Sequence, residues 1–112
     1  MALIDKETGI MYCGDDEDIY SEILGVYVDL VVESREVLIE ALAEDNMPEY
    51  IRRVHAVKSN SRNVGALVVG DLAELLEHAA KEDRKDYVIE NHPELMKLLT
   101  EVEAEARDIL GA

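Results

Sequence analysis

IRRVHAVKSNSRN, residues 51–63, contains Arg52, Arg53, Lys58 and Arg62 and no acidic residue. The whole chain carries a formal charge of −15; with histidine neutral this window is +4, which leaves −19 for the rest. A cationic island in so acidic a chain is not the pattern of a uniformly solvated surface. The spacing of the window is helical. Tyr50, Val54, Val57, Ser61 and Val64 recur at steps of 4-3-4-3 and line up as one stripe that faces a core. On the same wheel His55 falls about 130° from the centre of that stripe and points outward. Ser59 and Arg62 share this outer face, one and two turns along, and Lys58 flanks His55 at the i+3 position.

The elements on either side take shape from this helix. Asn46 is a good N-cap, Pro48 is tolerated in a first turn and Glu49 stands three residues on, so a helix over 47–64 is expected to begin there. Gly65 is its expected stop, because glycine readily takes the left-handed conformation. Upstream, Ile19, Ile23, Leu24, Tyr27, Leu30, Val31, Leu38 and Leu42 mark a long helix over about 16–44, capped by Asp15 or Asp16. Val26, Val28 and Val32 widen its apolar stripe toward more than one neighbour. Downstream, Leu67, Leu72, Leu75, Leu76 and Ala79 predict a helix over 66–81, and Tyr87, Leu95, Leu99, Val102 and Ala106 one over 84–110. Pro93 either bends that last helix or, with Asn91 and His92, starts a fresh one. Residues 1–14 show no period and read as a short lead-in across a bundle end. The expected fold is all-α: an antiparallel up-down four-helix bundle with an N-terminal lead-in, one domain over 1–112.

Composition agrees with that class and excludes others. Apolar residues make up 48% of 112, enough for one packed domain despite the charge. Six Gly and two Pro supply too few turns for an all-β fold. The single Cys13 cannot form an internal disulfide, which fits a reducing cytoplasm. No apolar run of membrane-spanning length and no signal-peptide pattern occurs. A charge of −15 argues against nucleic acid and anionic membranes as partners.

The outward histidine is the candidate for chemistry. A neutral imidazole is a nucleophile near pH 7, and cations beside it stabilise charge on a transferring phosphoryl group. Lys58 is best placed for this, with Arg62 weaker and Arg52 a further binding candidate. The small Ala56 and Ser59 would let another protein's active site approach, and the Ser59 hydroxyl could bond a phosphate oxygen. A lone histidine on a helix is commonly without function, however, and the same polar face could dock an acidic partner or lie against acids of the other helices. Spacing alone leaves these readings open.

The stretch HAVKSNSRNVGA resembles the signature of histidine-containing phosphotransfer (HPt) domains: a His, a Lys three residues on, a small residue after it, then small and apolar positions ending in Gly-Ala. His55, Lys58, Ser59, Val64, Gly65 and Ala66 occupy these places. The flanks IDKETGI, GDDEDIYSEILGVYVD, LAEDNMPEYIRRVHAVK and LVVGDLAELLEHAAKED are similar as well, so residues 4–82 are covered, and the last helix only in character. The resemblance implies that His55 accepts a phosphoryl group on Nε2 from an aspartyl phosphate of a receiver domain and passes it to another receiver. It implies a phosphocarrier without kinase activity, Lys58 neutralising phosphate charge, and structural or contact roles for Ser59 and Gly65. The receiver would belong to a response regulator or a hybrid histidine kinase, and Mg²⁺ would come with it, so that this chain needs no cofactor. A monomer should suffice. Ser59 departs from the glycine that many members have after the lysine, which puts transfer rate and partner choice in question.

The remaining histidines read as structural: His78, among acids, as a solvated residue, and His92 as part of a turn or helix start. No metal site is expected. A di-iron bundle would need Glu three residues before His, and those positions hold Arg52, Leu75 and Ile89. Two rival functions stand beside the carrier. One is the phospho-accepting domain of a chemotaxis-type or hybrid histidine kinase; the other is a helical adaptor that is never phosphorylated.

Overall fold

Side-chain caps place the helix starts. The Asp16 carboxylate accepts from the backbone N–H groups of Asp18 and Ile19 and opens α2, Glu17–Ala43. Asn46 accepts from Glu49 N and opens α3, Met47–Asn63, with Pro48 in its first turn. α4 spans Leu67–Lys81 and α5 spans Lys85–Gly111. The turns after α2 and α4 are closed by Asp45 and Asp83 at φ 55° and 60°, and the turn after α3 by Gly65 at φ 89°. Short polar side chains and glycine tolerate this left-handed region best. The computed structural model describes residues 2–111; the end points Met1 and Ala112 of the single-domain reading lie outside the described residues.

Two expectations need correction. The described residues hold five helices, not four, because the lead-in contains α1, Lys6–Tyr12. Asp5 caps it through Thr8 N, and it packs on α2 and α3. Seven residues are too few to display a period, and tertiary packing holds a helix that short, not propensity. The possible break near Pro93 is also absent: α5 runs through Pro93 unbroken, although proline leaves the Ile89 carbonyl without its usual donor.

The four long helices pack as a ring in which α2 and α4 each touch both α3 and α5. Leu24, Val31 and Leu38 of α2 meet Val54 and Val57 of α3, Val69, Ala73 and Leu76 of α4, and Leu95, Leu99 and Val102 of α5 in one core, each fully buried. Tyr50, Val54, Val57, Ser61 and Val64 are all buried, so the stripe read from the sequence is the face α3 turns inward. At the end of the bundle the N-terminal segment is tied to α5 and to the turn after α3. Glu105 of α5 accepts from Leu3 N and Ile4 N at 2.8 and 2.9 Å, and Asp5 N donates to Gly65 O at 2.9 Å. A Cβ at Gly65 would stand 2.1 Å from the Asp5 carbonyl oxygen, so the close approach, as well as the positive φ, requires glycine there.

Candidate functional site

Three tyrosines fix the rotation of α3 and thereby decide which side chains leave the bundle. Tyr27 OH of α2 and Ser61 Oγ of α3 share a buried hydrogen bond of 2.7 Å. Tyr20 OH donates to Val64 O at 2.8 Å, and Tyr50 OH lies 3.1 Å from His92 Nδ1 of α5. With the inner face pinned in this way, His55 emerges on the opposite flank toward α4, its side chain 58% exposed.

There it meets a residue that sequence reasoning did not single out. Glu77, projecting from α4, is only 3% exposed, and its Oε2 lies 2.8 Å from His55 Nδ1. Lys58 Nζ lies 2.7 Å from Glu77 Oε1 as an ion contact outside aligned hydrogen-bond geometry. Lys81 Nζ lies 2.9 Å from Oε2, one helical turn along α4. Burial by itself would push the Glu77 carboxyl up, but Lys58, Lys81 and His55 together outweigh it and hold it down at about 2. Glu77 is therefore ionised at any physiological pH and can only accept. It follows that the neutral His55 ring carries its proton on Nδ1 and keeps the lone pair on Nε2, on the side away from Glu77.

The other expected site residues divide into those at the site and those turned from it. Ser59 is exposed on the turn after His55, and Ala56 is half-buried beside it. Arg62, expected on the shared outer face, instead reaches across α4 to Asp71 and Glu74 at 3.3 and 3.0 Å. It can lie there because Gly70 has no side chain: a Cβ at Gly70 would come within 2.8 Å of Arg62 Cγ. Arg52 is paired with Glu49 on its own helix, and Arg53 with Glu33 of α2. Gly65 is buried at the far end of α3, about 15 Å along the axis from His55 at 1.5 Å per residue, and its place is structural. His78 is exposed. His92 does not start a helix; it lies inside α5 against Tyr50, and burial pushes its imidazole below the ordinary range.

Glu77 had a faint sequence signal. It lies four residues after Ala73 and three before Ala80, on the buried side of an amphipathic helix, where an unpaired acid is costly. Such an acid demands a cation from a neighbour, and the adjacent helix is the basic one. Among the described residues no group of three or more His, Cys, Asp or Glu side chains is placed to hold a metal ion, and no helix is long and apolar enough to cross a membrane.

This arrangement presents an exposed, oriented imidazole backed by a buried anion and two ammonium groups, which suits reversible capture of a phosphoryl group. The comparisons point the same way. No curated protein matches the chain. The crystal structure of the HPT domain from an Hpt sensor hybrid histidine kinase of Shewanella superposes with a TM-score of 0.85 at 21% identity, over 97% of this chain and 94% of that one, which shows a shared fold. The family model for the Hpt domain matches residues 22–108. The match takes in all of α3 and α4, most of α2 and α5, and the His55–Glu77 pair, and by it this chain belongs to the Hpt domain family, whose work is histidine phosphotransfer in phosphorelays.

Proposed function

We propose that His55 is the phospho-acceptor, taking a phosphoryl group from a receiver-domain aspartyl phosphate and delivering it to a second receiver. The observation that carries this reading is the bond from His55 Nδ1 to the buried, ionised Glu77, which supports Nε2 as the free nucleophile. In the forward step the Nε2 lone pair attacks phosphorus. The N–P bond forms, the P–O bond to the aspartyl carboxylate breaks, and the electron pair leaves with that carboxylate. The Nδ1 proton stays in place, so the ring becomes a phosphoimidazolium whose positive charge faces Glu77. In the return step an aspartate oxygen of the next receiver attacks, and the electron pair goes back to Nε2. No proton enters or leaves, which suits a reversible carrier and needs no kinase machinery.

Lys58, 18% exposed and seated on the carboxylate that also meets His55, supplies positive charge to the phosphoryl oxygens. Ala56 and Ser59 keep the approach low. A receiver's active site is acidic, and Mg²⁺ would come with it; on α3 the lysine beside His55 suits such a surface. Beside it α2 exposes Ile19, Ile23 and Val26 at i, i+4 and i+7, and the last two line a shallow cleft with Asn60 and Asn63 of α3. Apolar contact next to a charged centre is the makeup of a protein-docking face. The four long helices serve as an antiparallel up-down scaffold for this face, supported by the cross-links Lys85–Asp45 and Arg35–Glu103. A monomer presents the whole site, and the lone Cys13 suits a reducing cytoplasm.

The test is incubation with a phosphorylated receiver domain, and separately with a histidine-kinase core and ATP. The expected outcome is acid-labile, base-stable label from the receiver, absent in His55→Gln. Label retained by His55→Gln overturns the site; label from the kinase core alone favours the chemotaxis-type role.

A further inference from the structure

We infer that Lys81 is a second cation for the phosphoryl group, parked on Glu77 at rest and released to the phosphate oxygens when His55 is loaded. This rests on the carrier reading of His55. Lys81 lies outside the signature around the histidine, yet the fold brings its Nζ to 2.9 Å from Glu77 Oε2, the same oxygen that meets His55 Nδ1 at 2.8 Å. One carboxylate oxygen thus separates the ammonium from the reacting ring. The Lys81 side chain is 58% exposed against 18% for Lys58, so its flexible stem is free to swing outward while Lys58 stays wedged between helices.

Charge balance gives the reason for two lysines. In the form that attacks, with the ring neutral, Glu77 is −1 and Lys58 and Lys81 are each +1, so the cluster carries one positive charge more than Glu77 needs. A phosphoimidazolium bearing a dianionic phosphoryl group adds one net negative charge, and the loaded cluster becomes neutral. Without Lys81 the same cluster would be neutral at rest and left with an uncompensated negative charge when loaded. The other cations of the region are not available in its place. Arg62 is held by Asp71 and Glu74, and Arg52 by Glu49.

Potassium phosphoramidate tests this without any protein partner. Its P–N bond breaks as Nε2 bonds phosphorus, and ammonia leaves. Lys81→Met is expected to load about 3–10-fold more slowly than the intact chain and to reach a lower plateau, as expected for loss of one partly exposed charge-assisted contact. Lys81→Arg is expected to recover most of the rate. In the unsubstituted protein the Lys81 Nζ resonance is expected to shift on phosphorylation, a readout that does not depend on any variant folding. A wild-type rate and plateau in Lys81→Met, or a Lys81 resonance that does not move, overturns the inference and leaves His55 as the carrier. No label on the unsubstituted chain from phosphoramidate or from a phosphorylated receiver overturns both.

Discussion

Replacing Glu77 by glutamine probes the centre of the cluster. The amide is close in shape to a protonated carboxyl, so the substitution imitates the uncharged state of Glu77 at every pH. The gap between the ordinary 4.5 and about 2, at 1.36 kcal/mol per pH unit, means that its surroundings favour the ionised form by about 3 kcal/mol. That figure already contains the cost of burying the charge, and because His55 and Lys81 are each 58% exposed, water screens part of what they supply. Glu77→Gln is expected to lose about 2–3 kcal/mol at pH 7, with Lys58 left largely enclosed beside a neutral amide. The sign with pH is fixed. The folded value is depressed, so the contribution is full above the unfolded value of 4.5 and disappears as pH falls through about 2. The assay is urea unfolding followed by helical circular dichroism for both proteins from pH 7 to pH 2. The difference between the two curves, which cancels the other acids, should be constant above pH 5 and shrink toward pH 2. A difference under about 0.5 kcal/mol at pH 7, or one that does not shrink in acid, would refute the charge-clamp reasoning.

Other consequences follow from the same structure. Gly65→Ala should cost at least 2 kcal/mol in urea unfolding, because the strain of a positive φ adds to a Cβ only 2.1 Å from Asp5 O. Burial raises the hydroxyls of Tyr20, to about 12, and of Tyr27 and Tyr50 further still. Stability should therefore be full below pH 10 and fall as pH rises through the folded values, and Tyr27→Phe should lessen that alkaline loss. Ile23→Asp, on α2 by Asn60 and Asn63 and outside the Glu77 cluster, should leave phosphoramidate loading unchanged while slowing transfer from a receiver.

What the sequence determined by itself is everything that repeats with the period of a helix or lies within one turn. The four long helices, their caps at Asp16 and Asn46, the glycine stop at 65 and the inward stripe of α3 are local, and nearest neighbours along the chain decide them. His55 as an outward histidine in a basic island, with Lys58 beside it, is legible for the same reason. Helix α1 was not legible, because seven residues held in place by Gly65 and α2 carry no period of their own. Only the tertiary structure decided the partners. Glu77 is 22 residues from His55, and its meeting with Lys58 and Lys81 depends on the rotation of α3 that Tyr20, Tyr27 and Tyr50 fix. Arg62 shares the outer face of an isolated helix, but in the bundle α4 offers it Asp71 and Glu74 across Gly70, and it turns away. Periodicity states which way a side chain leaves its own helix; how the neighbouring helix is rotated and where its charges fall decides what that side chain finds.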